Sequence, residues 1–432
     1  MTSILIFNGI LVTMRSREEI IPNSYIYIDN GKIVDYGRYD EIPEDYKAAE
    51  LVINAKGRIV IPALTAAYVN FDYYPIRFTC YSREPHEWYE SIELKYLKQY
   101  KPEYSEYSLY LTLYNLVSQG VCTICGSIRS LQLNLDKICK LGLNIILAKT
   151  VHRGDDISSE VDRVNSLNVK LERETQSRIG IALSIAQTPI LDDEVVNRLS
   201  EVLKEKSLKS KLFIEVAKSK EEVSKYKGKY QKRPVEYLES LKLLSANTVL
   251  THCTWVTLRE IKLIAKCNSK VILCPETNLS LNEGIPPIMD IVSSNIDYTI
   301  SLDKGPSYSI LDVLKDTLTI HNILYGSSRS LSAYDILKSV ISASNTILGI
   351  SGTGVIEKGY RANIAIFRVD PRESWVYPLA NICELMVYGK PKLETLIVNG
   401  EVVVDGGQQL IFSEEEIEKY SGKLSELVLN IC

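Results

Sequence analysis

Several things are scarce in this chain, and each scarcity excludes something. No apolar run approaches the ~20 residues that a membrane span requires, so no membrane partner is expected. Positive charge is not in excess: 50 Lys plus Arg stand against 54 Asp plus Glu, a net charge of −4. With no basic run either, the footprint of a nucleic-acid binder is missing. The opening residues, MTSILIFNGILVTM, lack a basic region followed by an apolar core and a cleavage site. The reading therefore expects no signal peptide and a cytoplasmic location. Cys122 and Cys125 form a lone CxxC with no second pair and no nearby His, which argues against zinc or redox chemistry there. There are only four His and four Met, against 27 Tyr and many Lys, Glu and Ile. That balance fits an intracellular protein from a hot habitat. The nine cysteines are read as buried thiols, but cytosolic disulfides occur in such organisms, so their state stays open.

What remains is an ordinary globular composition, 45% apolar and 24% charged over 432 residues. It allows two or three domains, or one large barrel with an appendage. The first stretch reads as strands: residues 4–13, 24–29, 32–37 and 58–62 are β-rich and punctuated by Asn8-Gly9 and Asn30-Gly31, both hairpin signals. The end repeats the pattern over 362–369 and 393–407, with Asn399-Gly400 between apolar runs. Two β-rich termini suggest one small sheet domain built from both ends.

The middle alternates short apolar strands (144–151, 211–217, 248–253, 270–274, 297–303) with amphipathic stretches. Residues 257–267 form a helix with a Thr257/Glu260 capping box and Leu258, Ile261 and Ile264 on its apolar face. A second helix runs from Pro102 to a stop at Gly120, with a Tyr104, Tyr107, Leu111, Tyr114 stripe read as packing. Strand–helix alternation over nearly 300 residues indicates a parallel sheet with helices outside. A (β/α)₈ barrel and a doubly wound open sheet fit equally well.

Eight segments, in order, choose between them. They are VINAKGRIVIPAL (52–64), SQGVCTI (118–124), RPVEYLESLKLL (233–244), THCTW (251–255), CPETNLSLNEGIPP (274–287), SLDKGPS (301–307), GVIEKGYRANIAIF (354–367) and LIVNGEVVVDGG (396–407). Together they resemble the amidohydrolase superfamily, in the branch of cytosine deaminases, adenosine-type deaminases and triazine chlorohydrolases. The resemblance implies an α/β fold: a (β/α)₈ barrel over 62–353, with a composite β-sandwich domain from 1–61 and 354–432. It implies a hydrolase acting on carbon–nitrogen bonds of small cyclic compounds, and a homo-oligomer.

The family's chemistry has a plain physical logic. A divalent metal sits at the C-terminal mouth of the barrel. It is held by two His at i, i+2 on the first strand, one His on the fifth and an Asp on the eighth. The i, i+2 spacing places both imidazoles on one side, because strand side chains alternate. The metal lowers the pKa of a bound water. A Glu three residues after the fifth-strand His shuttles protons, and a sixth-strand His polarises the substrate.

This sequence departs from that pattern. In IPALTAAYVN (61–70) the paired-His positions hold Tyr68 and Asn70, and in FIEVAKSKEEV (213–223) the fifth-strand His position holds Glu215. Lys218 stands where the shuttle Glu is expected; only His252 and Asp303 survive. A standard zinc or iron site is therefore not expected, so the cofactor expectation is none, with room left for a weak divalent ion beside Asp303. Three readings stay open: a dead site on a binding or assembly protein; a site rebuilt for a harder ion from Asn70, Glu215, Asp303 and His252; and a metal-free hydrolase. In the last, Lys218 supplies the positive charge, Asp303 or Glu215 acts as base, and His252 or Tyr68 donates to the developing oxyanion. Its bland counterpart is a structural Glu215–Lys218–Asp303 ion-pair cluster. The catalytic candidates are thus Asp303, His252, Lys218 and Glu215; the substrate-binding candidates are Tyr68, Asn70 and Trp88, binding a small-molecule ligand. His86, His152 and His321 are weighed as packing residues, Cys253 as pointing away from the mouth, Cys274 as a soft ligand only in company, and Asn278 as fixing its loop by hydrogen bonds.

Overall fold

The computed structural model describes residues 2–79, 85–176, 178–186, 191–326, 331–369 and 379–431. A terminal sheet begins with β1 (Ile4–Val12), β2 (Ile20–Asp29), β3 (Lys32–Arg38), β4 (Leu51–Asn54) and β5 (Arg58–Pro62). The barrel strands follow: β6 (Leu64–Asn70), β7 (Val121–Ile128), β8 (Asn144–Thr150), β9 (Ile179–Ile185), β10 (Leu212–Val216), β11 (Thr248–His252), β12 (Lys270–Leu273) and β13 (Tyr298–Ile300). The chain then returns to the first sheet with β14 (Ile364–Arg368), β15 (Lys392–Val398), β16 (Glu401–Asp405) and β17 (Gln408–Gln409).

The join between the chain ends is direct: β14 pairs antiparallel with β5, Ile364 opposite Pro62 and Arg368 opposite Arg58. The result is one nine-stranded sheet contributed by both termini. Asn30-Gly31 and Asn399-Gly400 make the predicted tight hairpins, with both residues of each pair at positive φ. Asn8-Gly9 does not. It lies inside β1 as an irregularity in the β1–β2 register, and β1 runs on to Val12. The reason is steric: a Cβ on Gly9 would meet Val60 Cγ2 at 2.6 Å, so this glycine serves close strand packing and not a reversal.

The eight parallel strands β6 to β13 are hydrogen-bonded in sequence order. Closure comes from the two end strands. Asn70 N–H donates to Asp303 O (2.9 Å), and Leu302 and Asp303 N–H donate to Tyr68 O (3.2 and 3.0 Å). Ser301 Oγ completes the seam, accepting from Tyr68 N–H (2.8 Å) and donating to Tyr68 O (2.7 Å). Inside, small residues (Ala67, Cys125, Ala148, Ala182, Cys274) leave room for the stacked rings of Tyr68 and Phe213. Outside, the apolar faces of strands and helices form the main core, which also takes in the C-terminal helix Glu414–Leu429 through Tyr420, Leu424 and Leu427.

The helix Leu258–Lys266 has its predicted capping box, but Leu258 is 61% exposed. Glu260 is buried in its place because Arg233 pairs with it at 2.5 Å. The helix Pro102–Val117 carries the tyrosine stripe, and Tyr107 stacks on Tyr420. Among the described residues the seven cysteines are free thiols; Cys80 and Cys432 lie outside them.

The tightest backbone approach lies beside the closing seam. A Cβ on Gly126 of β7 would sit 2.2 Å from Val69 O, which is backbone and cannot swing away. Gly126→Ala is expected to cost at least ~2 kcal/mol, typical of overpacking against an unyielding neighbour. Thermal unfolding of the variant should show a melting temperature several degrees lower; an unchanged value would refute this account of the β6–β7 junction.

Candidate functional site at the barrel mouth

Four side chains reach the C-terminal mouth by two local devices. Strand alternation sends Glu215 inward beside Phe213, and Asp303 inward two residues after Ser301. His252 and Lys218 need more. Leu250 packs outside and Val249 inside, so alternation alone would send His252 outward. Left-handed backbone at His252 (φ 69°) and Cys253 (φ 50°) turns the strand end. Ala217 (φ 51°) does the same before Lys218, and Asp303 itself has φ 49°. Such conformations cost roughly 1 kcal/mol or more each and persist only where the surroundings enforce them. Here Glu222 is the enforcer: its buried carboxylate accepts from Ala217 N–H (2.9 Å) and Lys218 N–H (3.0 Å). Glu222 is held in turn by the Ser219 cap of helix Lys220–Tyr230.

The resulting centre is dry. Tyr68, Glu215, Lys218, His252 and Asp303 are each at most 2% exposed. Lys218 Nζ lies 3.6 Å from Glu283 Oε1 and 3.8 Å from Asp303 Oδ2. His252 Nε2 lies 3.5 Å from Asp303 Oδ2 and 3.9 Å from Glu215 Oε2. The Tyr68 phenol donates to Glu215 Oε1 (3.0 Å). On the far side of the imidazole, His252 Nδ1 faces the Asn278 amide, whose Nδ2 donates to Glu283 Oε2 (3.1 Å). The polar atoms thus form a closed circuit: Lys218, Asp303, His252, Asn278, Glu283 and back to Lys218.

Electrostatics assign the charges. Burial alone would strip the proton from Lys218, but Glu283 and Asp303 outweigh it and hold the ammonium charged, above its ordinary range. Burial, reinforced by that ammonium, keeps His252 neutral. Burial and the neighbouring carboxylates Glu215 and Asp303 keep Tyr68 a phenol. Glu283 is pushed up to about 7 by burial, against the pull of Lys218 and Lys304.

The sequence-predicted residues are placed as follows. Glu215, His252 and Asp303 converge: one ligand atom from each lies within 4.8 Å of the others. His252 Nε2 and both Asp303 oxygens have no hydrogen-bond partner. This finding runs against the expectation of no cofactor, because three side chains do present the geometry of a candidate cation site. Lys218 joins them through Asp303, and Tyr68 through Glu215. Asn70 contributes backbone, bonding Asp303 O and accepting from Tyr308 Oη (2.6 Å). Trp88 stands one layer away: its indole N–H donates to Thr79 Oγ1 (3.0 Å), and its ring lies 5.2 Å from the ammonium of Lys304, which also meets Glu93. His152 and His321 stand apart from the centre on other elements, and the side chain of His86 lies outside the described residues.

Sequence reasoning missed Glu283 and the partnership of Asn278 with His252. Glu283 lies in CPETNLSLNEGIPP (274–287) and enters the sequence reading only through that segment's family resemblance. The available signal was indirect: a lysine inside a barrel requires a counter-ion, and Glu283 is the carboxylate the loop after β12 delivers.

Glu276 is likewise pushed up to about 7 by burial, with Ser307 bonding both its oxygens. Two carboxyls with raised folded-state pKa bind more protons folded than unfolded between about 4.5 and 7. Stability is therefore full below that window and declines as pH rises through it, by roughly 1–3 kcal/mol per group. Melting temperatures across pH 4.5–7.5 should fall with pH, and Glu283→Gln should flatten part of the slope; the opposite slope would contradict the assigned burial.

Comparison with known proteins agrees with the barrel fold. The profile of the amidohydrolase family matches residues 59–403. A 5-methylthioadenosine/S-adenosylhomocysteine deaminase from Halothermothrix orenii is 24% identical over 424 residues, 96% of this chain and 97% of its own. The protein of that name from Aquifex aeolicus is 31% identical over 223 residues, 51% of each chain. Among solved structures, a zinc-bound adenosine deaminase from Xanthomonas campestris aligns with a TM-score of 0.86 at 16% identity, covering 99% of this chain and 98% of its own. A zinc complex of atrazine chlorohydrolase from Arthrobacter aurescens aligns at 0.82 with 18% identity, covering 98% and 100%.

Proposed function

We infer function from one premise: this chain belongs to the amidohydrolase family. We propose that it hydrolyses a carbon–nitrogen bond of a small cyclic compound at the barrel mouth, and that it does so with Lys218 in place of the family's zinc. The relatives named above as deaminases and a chlorohydrolase support an amino-substituted purine, pyrimidine or triazine as the substrate class. The same reading takes a small-molecule ligand and neither nucleic acid nor membrane, in a cytoplasmic homo-oligomer.

The residues do not fit the zinc of the related structures. Two imidazole positions are Tyr68 and Asn70, a third is Glu215, and Glu215 already accepts the Tyr68 phenol. The observation that carries the proposal is the buried ammonium. With Lys218 Nζ 3.8 Å from Asp303 Oδ2, a dication on that carboxylate would lie about 5 Å from a fixed positive charge. At an effective dielectric near 20 that repulsion is ~7 kcal/mol, roughly half of the ~10–16 kcal/mol that a structural zinc site gains. Glu215, His252 and Asp303 therefore keep the outline of a cation site but carry their own cation.

The chemistry follows from the same groups. Asp303, whose oxygens carry no hydrogen bond, accepts a proton from water as its oxygen bonds to the ring carbon. Lys218 and the ring N–H of His252 stabilise the negative charge that develops in the ring. Glu283, poised near neutrality, supplies a proton relay beside Lys218 as the carbon–nitrogen bond breaks and ammonia leaves. A water-excluded centre strengthens each of these interactions.

A second reading has its own observation: a centre so fully buried and internally ion-paired also suits a barrel kept for shape or ligand binding. One experiment separates the readings. Metal analysis of the purified protein is expected to find well under one zinc per chain. Ammonia release from a panel of aminopurines, cytosine and aminotriazines should survive chelation and drop at least ~100-fold in Lys218→Met, the scale for removing one fixed charge from a transition state. Stoichiometric tight zinc, or activity abolished by chelator, would sink the metal-free reading. Turnover that is absent across the panel while a panel compound still binds and stabilises the fold would favour the non-catalytic one.

A further inference from the structure

We infer that Glu283 is a positioning residue that, through Asn278, fixes His252 as the tautomer protonated on Nε2, making it a hydrogen-bond donor into the site. This rests on the reading of the mouth as a metal-free centre, and it extends that reading to residues of a loop that alignment to the family's metal ligands would pass over.

Above about pH 7, Glu283 beside the Lys218 ammonium is a carboxylate and only accepts, so the amide of Asn278 must present its nitrogen to it, at 3.1 Å from Oε2. That contact settles which end of the amide is which. The second N–H of the same nitrogen then faces His252 Nδ1 at 3.3 Å; the amide oxygen is farther, at 3.5 Å. Nδ1 is accordingly the acceptor, and a neutral ring must carry its proton on Nε2. The inner end of the ring agrees. Nε2 faces Asp303 Oδ2 at 3.5 Å and Glu215 Oε2 at 3.9 Å, two acceptors that welcome an N–H and repel a lone pair. Both ends of the imidazole choose the same tautomer, and Lys218, paired with Asp303 on the inner side and Glu283 on the outer, links the two.

This is the reverse of a metal-ligating histidine. Such a ring donates its outer N–H to a carbonyl or carboxylate and offers its inner lone pair to the ion. Here an amide N–H faces the outer nitrogen and a proton occupies the inner one. Lys218 closes the arrangement by pairing with the other oxygen of Glu283 (3.6 Å), so the carboxylate that holds Lys218 also orients Asn278. One loop residue thereby sets both the cation and the donor of the centre.

The test exploits the small number of histidines, four in the whole chain. Ring-¹⁵N histidine labelling gives few signals, and the one lost in His252→Gln identifies residue 252. In the intact protein that ring should show a protonated Nε2 and a bare Nδ1, and should keep this signature when zinc is added. Asn278→Asp places an acceptor against Nδ1 and should move the proton to Nδ1; Glu283→Leu should release the amide and give the same shift, and Glu283→Gln should restore the original pattern. If Glu283→Leu does not fold, the near-isosteric Asn278→Asp still decides. A proton on Nδ1 in the intact protein, a zinc-induced change to the metallated pattern, or no response to Asn278→Asp would overturn the inference. The readout is independent of turnover: absence of hydrolysis with the tautomer as stated would count against the proposed function alone, and hydrolysis with the opposite tautomer against this inference alone.

Discussion

The barrel mouth depends on the buried positive charge of Lys218. Lys218 lies among Asp303, Glu283 and, farther off, Glu215 and Glu93, all but shut off from water. Isolated carboxylates in such a setting would each carry a desolvation penalty of several kcal/mol and would take up protons instead. The ammonium offsets that penalty and reinforces burial in keeping His252 neutral, while burial and the neighbouring carboxylates keep Tyr68 a phenol, and burial raises Glu283 against the pull of Lys218. Lys218 reaches this position because the fifth strand ends in a turn that swings its long aliphatic stem inward.

That turn ties the site to the fold. The residues that close the barrel, Tyr68, Asn70 and Asp303, are the ones that face the centre or stand beside it. Left-handed backbone at Ala217, His252 and Asp303 is tolerated because Glu222, the Tyr68 carbonyl and the adjoining strand ends tie those amides down. Strain and closure therefore coincide: loosening the seam between β6 and β13 would also misplace the side chains at the barrel mouth. Local strain over-determined by its surroundings is a recurring property of functional positions.

Much of the architecture was legible in the sequence, because it rests on short-range signals. Short β-rich apolar runs marked most of the strands, Asn30-Gly31 and Asn399-Gly400 marked two hairpins, and Thr257 with Glu260 marked a helix start. The misreadings arose where a distant contact overrode a local rule. Asn8-Gly9 has hairpin chemistry, yet Val60 presses on it from another strand. Leu258 sits on a helical apolar stripe, yet Arg233 draws Glu260 inward and leaves the leucine outside. The departure from the resembled pattern at Tyr68, Asn70, Glu215 and Lys218 was a residue-by-residue expectation of the sequence. The convergence of Glu215, His252 and Asp303 into a three-point cluster, and the arrival of Glu283 opposite Lys218, were not. Those depend on where barrel strands end in space, and one linear string does not encode that distance.

The terminal sheet carries a consequence for how this chain comes into being. Its central pairing joins β5, which ends at Pro62, to β14, which begins at Ile364. The ion pair between Arg58 and Glu394 spans a still longer stretch. During synthesis at ~5–20 residues per second, the opening strands emerge roughly 15–60 seconds before their partners exist. Throughout that interval β5 presents an uncovered apolar edge while the whole barrel is being translated. A nascent chain in this position is exposed to edge-to-edge association, and it reaches its final topology by a slow, late closure. The last strands of the chain act in effect as a clasp, fastened only after everything between has been made.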